Sequence, residues 1–495
     1  MLDSVVSELA AEHLPWRWRA GCGVVRVSDH GVRLGQNGQN TRVRKAKRHD
    51  REAGRGGRRA GGAPGRIWWH ANGVDRAKAG ENSATFGDVF AVAEFRALFA
   101  AQILSVIGDQ FARVALTVLV FQRTQSAGLA ALTYALTFLP DLVAGPLLSG
   151  LADRLPRRRL MVVCDAMRAL LVALMAVPGA PLWILFLLLV AAQLLNSPFS
   201  AARAALLAVI LRGDRYVVGS AVSNITNQVA QLAGFATGGL LVAAAGPIRG
   251  LLVDAGTFLA SALIVKYGVA ERPVPRSAEG HGPKAAWWRS MSAGVALVWT
   301  DRRLRALVAL ACVSGFYITA EGLAVPYAAS LGGGAAAAGL LLAANPAGTV
   351  VGMIVLTRWV SPQTRLRWLG PMAVAACLPL LLCAVQPGLL ATAALWALSG
   401  VFSAFQVPAN AAFVQSVPDA QRGQTFGLAV TALLSAQGIG ILLGGIAAER
   451  WAPSAVVAGA GVLGALAATL AAIAWARATG APAGDKPAPT GDRPG

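Results

Sequence analysis

Four carboxylates, Asp109, Asp141, Asp254 and Glu321, stand inside long runs of otherwise apolar residues. A charge in hydrocarbon is costly and is retained where it has work to do. The chemistry open to such a group is loading and releasing a proton, provided burial brings its proton affinity toward neutrality. Asp109 and Arg113 are four residues apart, on one helix face, and are expected to form an ion pair. That pairing suits a structural or latch role. Glu321 sits in YITAEGLAVPY with no basic neighbour in sequence, and it and Asp141 lead the proton-carrying candidates, ahead of Asp109 and Asp254. Asp165 and Arg168 are expected near a membrane surface, bracing the charged loop before them.

A second constellation is uncharged. Asn224, Asn227, Gln228 and Gln231 recur at helical spacing and share one face. Amides cannot face lipid unpaired, so this face lines a cavity or makes interhelical hydrogen bonds. Gln406 and Asn410 are candidates to join it, and Phe316, Tyr317 and Trp396 could offer aromatic surface to an apolar ligand. Phosphate-binding, zinc-protease and serine-hydrolase motifs are missing, so the chemistry is not enzymatic and calls for no cofactor. Five cysteines without metal-ligand spacing give no metal site and no disulfide scaffold.

The elements that must hold these residues are dictated by composition. Only 14% of residues are charged, 55% are hydrophobic and the mean hydropathy is +0.55, yet the net charge is +20. Residues 1–85 hold 16 Lys/Arg against 8 Asp/Glu, net +8, leaving 28 against 16, net +12. The first segment, with TRVRKAKRHDREAGRGGRRAGGAPGR, lacks apolar periodicity and reads as a disordered basic tail. Beyond it, apolar stretches of bilayer length alternate with short polar hinges. Six fall at 97–121, 127–150, 160–178, 181–200, 216–244 and 248–270, and six more at 304–328, 335–358, 368–386, 389–410, 423–447 and 453–476. These twelve are called spans 1 to 12 below. The organisation is therefore an all-α integral membrane protein: a tail at 1–85, a six-helix bundle at 95–270, a linker at 271–303, a second bundle at 304–476 and a disordered tail at 477–495. Within the linker, Trp287 to Arg305 reads as an interfacial helix. Alternate loops collect 19 basic residues on one side and three (Arg123, Arg249, Arg450) on the other. The positive-inside rule then places both termini in the cytoplasm, in a multi-pass protein of the cytoplasmic membrane.

The halves repeat one another. Leu151–Leu160 answers Leu356–Arg367, Pro198 answers Pro408, Arg212-Gly213 answers Arg422-Gly423, and Gly234-x-x-x-Gly238-Gly239 answers Gly440-x-x-x-Gly444-Gly445. A parallel duplication of six spans sets two pseudo-symmetric bundles around a central cavity, an arrangement suited to alternating access.

From about Phe95 to Ala476 the chain resembles a major facilitator superfamily transporter, and within that family the multidrug-efflux branch of macrolide and enterobactin exporters. The likeness is carried by FRALFAAQILSVIGDQFARVALTVLVFQ (Phe95 to Gln122) and by the loop after span 2, Ser149-Gly150-Leu151-Ala152-Asp153-Arg154-Leu155-Pro156-Arg157-Arg158. The family pattern there is G-x-L-A-D-R-x-G-R-K/R, with Ser149 and Pro156 departing from it. The resemblance implies a gating latch in which Gly150, Asp153, Arg154, Arg157 and Arg158 clasp neighbouring helix ends. It also implies an antiporter-like motif at Gly234, Gly238 and Gly239, although the motif's proline is replaced. The expected function is secondary active transport: proton-coupled export of amphipathic drugs or small metabolites by a monomer, with no nucleic-acid partner. The alternatives are an exporter of one siderophore or metabolite, and a membrane-anchored interaction protein acting through its basic tail.

Overall fold

A computed structural model describes residues 85–140, 151, 155–272, 296–418 and 422–480, and every regular element among them is a helix. In hydrocarbon no water satisfies the backbone, so runs rich in Ala, Leu, Val and Gly close their hydrogen bonds internally as helices. Ten helices among the described residues are long and apolar enough to cross a membrane. Span 3, Arg157–Met175, is a further helix that carries Asp165 and Arg168 in its interior. Span 2 opens with the helix Ala127–Ala135, and residues 141–150 of the expected span lie outside the described residues.

Local chemistry sets the ends. Span 1, Ala93–Thr124, stops where Gln125 turns left-handed, and the Ser126 hydroxyl then accepts the Leu129 N–H at 3.0 Å to start span 2. Gly246, at φ 82°, allows the sharp reversal between span 5, Asp214–Ala245, and span 6, Pro247–Gly268. Asp301 caps span 7, accepting from the amides of Arg303 and Leu304. Residues 296–300 form a separate helical stretch before this cap, so the expected interfacial helix does not run through to Arg305. Span 12, Pro453–Gly480, extends into the segment expected as a tail.

Proline bends the repeat at matching places. Span 4 divides into Leu182–Leu194 and Asn196–Ile210 just ahead of Pro198. Span 10 divides into Leu389–Ser403 and Gln406–Ser416 ahead of Pro408. Each ring removes an N–H and crowds the carbonyl four residues back. Span 7 is the most interrupted: Arg302–Cys312 is followed by Ser314–Tyr317, Thr319–Gly322 and Ala324–Ser330, with Glu321 inside the broken part.

Packing follows the duplication. In the first half, span 1 packs on spans 5 and 6, and span 6 on span 3. In the second, span 7 packs on spans 11 and 12, and span 12 on span 9, Pro362–Leu381. Between halves, span 2 meets span 11 (Arg422–Ala448) and span 5 meets span 8 (Ala335–Trp359), two contacts exchanged by the same symmetry. One continuous hydrophobic core links the halves, from Leu116, Tyr134 and Phe235 through Leu323 and Leu341 to Trp396.

The small-residue motif explains how these contacts close. Gly234 and Gly238 lie against Gln110 and Phe111 of span 1, while Gly239, a further 100° round the helix, meets Gly339 of span 8. Its repeat partner behaves alike: Gly440 and Gly444 lie against Gly315 and Thr319 of span 7, and Gly445 meets Gly128 and Ala131 of span 2. A β-carbon at Gly239 would stand 2.6 Å from the Gly339 Cα. Two glycines thus fit the neighbour within a bundle, and the third lets the opposite bundle approach backbone to backbone.

Candidate functional site: a polar cavity between the bundles

A cavity of about 330 Å³ lies where the halves face each other. Span 1 gives it Arg113, span 2 Tyr134 and Phe138, and span 5 Gln228, Gln231 and Phe235. Opposite stand Tyr317 and Glu321 of span 7, Asn345 and Thr349 of span 8, Gln406 of span 10 and Gln437 of span 11. The polar groups are oriented by one another. Gln406 Nε2 donates to the Tyr317 hydroxyl at 2.6 Å, and Gln437 Nε2 donates to Ser314 Oγ at 3.3 Å. The hydroxyls of Thr349 and Ser403 lie 3.0 Å apart.

The central feature crosses the interface. The Tyr134 hydroxyl, in the first half, donates to Glu321 Oε2, in the second, at 2.7 Å. Glu321 is 7% exposed. Arg113 reaches toward the same corner: its guanidinium carbon lies 5.0 Å from the Phe138 ring centroid, and its charge acts on both Tyr134 and Glu321. Its Nε is buried without a hydrogen-bond partner. A carboxyl, a phenol and a guanidinium from three spans therefore share one low-dielectric corner of the cavity.

This arrangement corrects the expected Asp109–Arg113 pair. Asp109 instead bonds Arg168 of span 3, with Arg168 Nη2 2.5 Å from Asp109 Oδ1. Spacing alone allowed the local pair, but Arg168 is the better-held partner. Its other terminal nitrogen lies 3.4 Å from Ser105 Oγ and 3.9 Å from Asp165 Oδ1, and its Cζ stacks 4.1 Å from the Phe258 ring. Asp165 and Arg168 are both buried, among spans 1, 3 and 6. Ser261 Oγ donates to Asp165 at 2.6 Å, and Thr257 donates to Asp254 Oδ1 at 3.2 Å. Asp254 is fully buried, and its Oδ2 has no hydrogen-bond partner. Two carboxyls here share one guanidinium inside the first bundle, behind the cavity wall, and Asp254 is buried with them without an ion pair of its own among the described residues.

The remaining candidates divide. Gln228, Gln231 and Gln406 line the cavity. Asn224 and Asn227 continue the span 5 face away from it, and Asn224 and Asn410 are exposed. Trp396 is buried against Tyr327, and Phe316 packs on Gly464, so neither presents a face to the cavity. Asp141, Gly150, Asp153 and Arg154 lie outside the described residues. Of the loop arginines, Arg157 donates to the Ala205 carbonyl at 3.3 Å, and Arg158 bonds the Lys266 carbonyl and faces Glu271 at 3.8 Å. Sequence reasoning missed Tyr134, Asn345, Thr349 and Gln437. The available signal was a polar group within an apolar span, which Tyr and Thr carry too weakly to stand out.

The two bundles close on one another at the end where the hinges are poor in arginine. The Gly239–Gly339 and Gly445–Gly128 approaches lie there, joined by a polar strap. Glu449, just past span 11, accepts from Ser126 Oγ and from the Gly128 N–H, both at 2.6 Å. Its carboxylate thereby caps the first turn of span 2 in the opposite bundle, where the helix dipole favours negative charge. The Ser126 hydroxyl first, and then the Gly128 amide, hold the Glu449 carboxyl below the ordinary range.

Comparison with known proteins agrees with this architecture. The chain is 32% identical over 169 residues to the uncharacterized MFS-type transporter YfiS of Bacillus subtilis, a match covering 34% of this chain and 40% of that protein. Among solved structures, the nucleoside transporter NupG superposes with a TM-score of 0.61 at 12% identity, covering 78% of this chain and 99% of that one. A POT family transporter in complex with 5-aminolevulinic acid gives 0.63 at 11%, covering 80% and 98%. A bacterial homolog of the human lysosomal transporter Spinster, inward-facing and unoccupied, gives 0.52 at 14%, covering 78% and 96%. These likenesses are of fold. The sequence pattern of the Major Facilitator Superfamily matches residues 98–394 and 322–494, most of the chain, and the protein belongs to that family of membrane transporters.

Proposed function

We propose that the chain is a proton-coupled exporter of amphipathic small molecules, working by alternating access in the cytoplasmic membrane. The observation that carries the reading is the Tyr134–Glu321 hydrogen bond, which ties the two bundles at the wall of the cavity. An ionised Glu321 accepts strongly from the phenol and is drawn toward Arg113, and such charge-assisted bonds are about twice as strong as neutral ones. Protonation weakens both ties, so the charge state of one carboxyl biases whether the bundles hold together or part at that level. A proton taken up from one side and released to the other then drives the exchange.

The lining supports an amphipathic cargo. Phe138, Phe235, Ile318, Met353 and Val407 offer apolar surface, and Gln228, Gln231, Asn345 and Gln406 offer amides that both donate and accept. A cationic cargo would compete with the proton for Glu321, which gives antiport without a further device. The positive-inside rule sets the arginine-rich end in the cytoplasm, so the sealed end faces outward. The efflux-branch resemblance supports export as the direction. Asp109 and Asp254 stand behind the cavity wall in the Arg168 cluster, which leaves Glu321 as the proton carrier among the described candidates.

The test uses everted membrane vesicles, an imposed proton gradient and a fluorescent lipophilic cation. Wild-type vesicles accumulate the dye and lose it when the gradient is collapsed. Glu321→Gln should abolish gradient-driven uptake while leaving dye exchange down its own gradient. Unchanged gradient-driven uptake in that variant would refute the coupling, and uptake indifferent to the gradient in the wild type would indicate a passive pathway.

A further inference from the structure

A groove of about 370 Å³ lies at the arginine-rich end between spans 7 and 12, lined by residues that take no part in the central cavity. Arg302 and Arg305 enter it from the first turns of span 7, and Arg477 from the last turn of span 12. Its floor is alanine, notably Ala309 and Ala474, both exposed. Side chains that end at the β-carbon leave a slot running along two spans.

The charge in this slot is not neutralised from within the described residues. None of the three arginines has a carboxylate within ion-pair distance there. The adjacent acid, Asp301, is committed to capping span 7. The walls are nevertheless held in place: Arg303 Nε donates to the Ala478 carbonyl at 3.2 Å, bracing the two helix ends, and Arg305 Nη1 donates to the Trp299 carbonyl at 2.9 Å. Trp299 itself is 68% exposed, and an exposed indole at the end of a span belongs at the headgroup level of a bilayer.

We propose that this groove binds the headgroup of an anionic phospholipid, with its phosphodiester among Arg302, Arg305 and Arg477 and its acyl stem along the alanine floor. Guanidinium groups match phosphate oxygens in charge and fork geometry, and basic pockets between spans take such headgroups. A free phosphate would use the arginines but not the apolar floor, which continues onto the span surfaces where acyl chains lie. The combination of three cations without a carboxylate partner among the described residues, an apolar slot and an interfacial tryptophan therefore selects a lipid.

The test is native mass spectrometry of the delipidated full chain, titrated with phosphatidylglycerol, cardiolipin or phosphatidylcholine. Expected is retention of the two anionic lipids over phosphatidylcholine. Losing each arginine should weaken the anionic adduct about fivefold, and Arg302→Gln/Arg305→Gln/Arg477→Gln on the order of a hundredfold. The control, Arg212→Gln/Arg215→Gln/Arg367→Gln, removes three exposed charges from the same end and should keep the adduct. Equal loss in the control would overturn the site in favour of general surface charge. Equal retention of phosphatidylcholine, or complete displacement by inorganic phosphate, would overturn the lipid. Should the triple variant fail to stay monodisperse, Arg477→Gln alone carries the same comparison.

Discussion

Removing Glu449 should loosen the sealed end. Two bonds cross between the bundles on this one carboxylate, from Ser126 Oγ and the Gly128 amide at 2.6 Å each. Buried, bonds to a charged acceptor are worth about 1.5–3 kcal/mol apiece. Glu449 is exposed and water competes for it, which reduces the pair to about 1–2 kcal/mol in total. Glu449→Ala should therefore shift the sealed-to-open ratio by about 5- to 30-fold. Glu449→Gln keeps an acceptor and should shift it by roughly half as much in free energy. Spin labels at the exposed positions Gln125 and Trp451, beside the two partners, report the separation by pulsed dipolar spectroscopy. Wild type should give one short distance, and the alanine variant should add a longer population. The pH behaviour follows from the sign of the shift. The sealed state binds the Glu449 proton less readily than a free carboxyl of ordinary value 4.5. Its contribution is thus complete above that value and lost only as pH falls through the depressed one. In a Glu321→Gln background, which removes the cavity carboxyl's own response to pH, the distances should stay constant from pH 8 to 5 and lengthen in stronger acid. Identical distributions in all three proteins, or opening between pH 7 and 5, would refute the strap.

Other consequences can be checked separately. Gly239→Val places a side chain 2.6 Å from the Gly339 Cα, where only backbone could yield, so transport should fail in a protein that still reaches the membrane in normal amount. Arg168→Gln leaves Asp109 and Asp165 without their cation and should destabilise the chain by about 3–5 kcal/mol, whereas Asp254→Asn breaks no ion pair and should be tolerated in thermal unfolding in detergent. Tyr134→Phe deletes the phenol while keeping the ring, so gradient-driven dye uptake should weaken with the cavity intact. Unaltered coupling in that variant would remove Tyr134 from the mechanism.

Hydropathy located ten of the twelve expected spans as long apolar helices among the described residues, because a bilayer imposes one length and one polarity on every crossing segment. The duplication was legible for a related reason, since Pro198 and Pro408 bend matching helices and the paired glycine motifs meet matching neighbours. The partners of charged groups were not legible. Asp109 could pair within its own helix by spacing, yet a span 3 arginine more than fifty residues away takes it, because Ser105 and Phe258 fix that guanidinium beside it. Glu321 stood out as a lone acid, but its phenol partner lies 187 residues earlier in sequence. Glu449 went unnoticed because a carboxylate at a span end is ordinary until the opposite bundle brings an open helix start to it.

The glycine contacts between bundles also bear on rate. Where Gly239 meets Gly339 the contact is backbone against backbone, and where Gly445 meets span 2 it is against Gly128 and the β-carbon of Ala131. Parting these surfaces requires no rotamer to unlock and leaves little apolar area without a neighbour. They behave as bearings, not as teeth. In the proposed cycle, the polar ties of one phenol and two carboxylates then add a chemical barrier at places where the helices themselves offer little resistance.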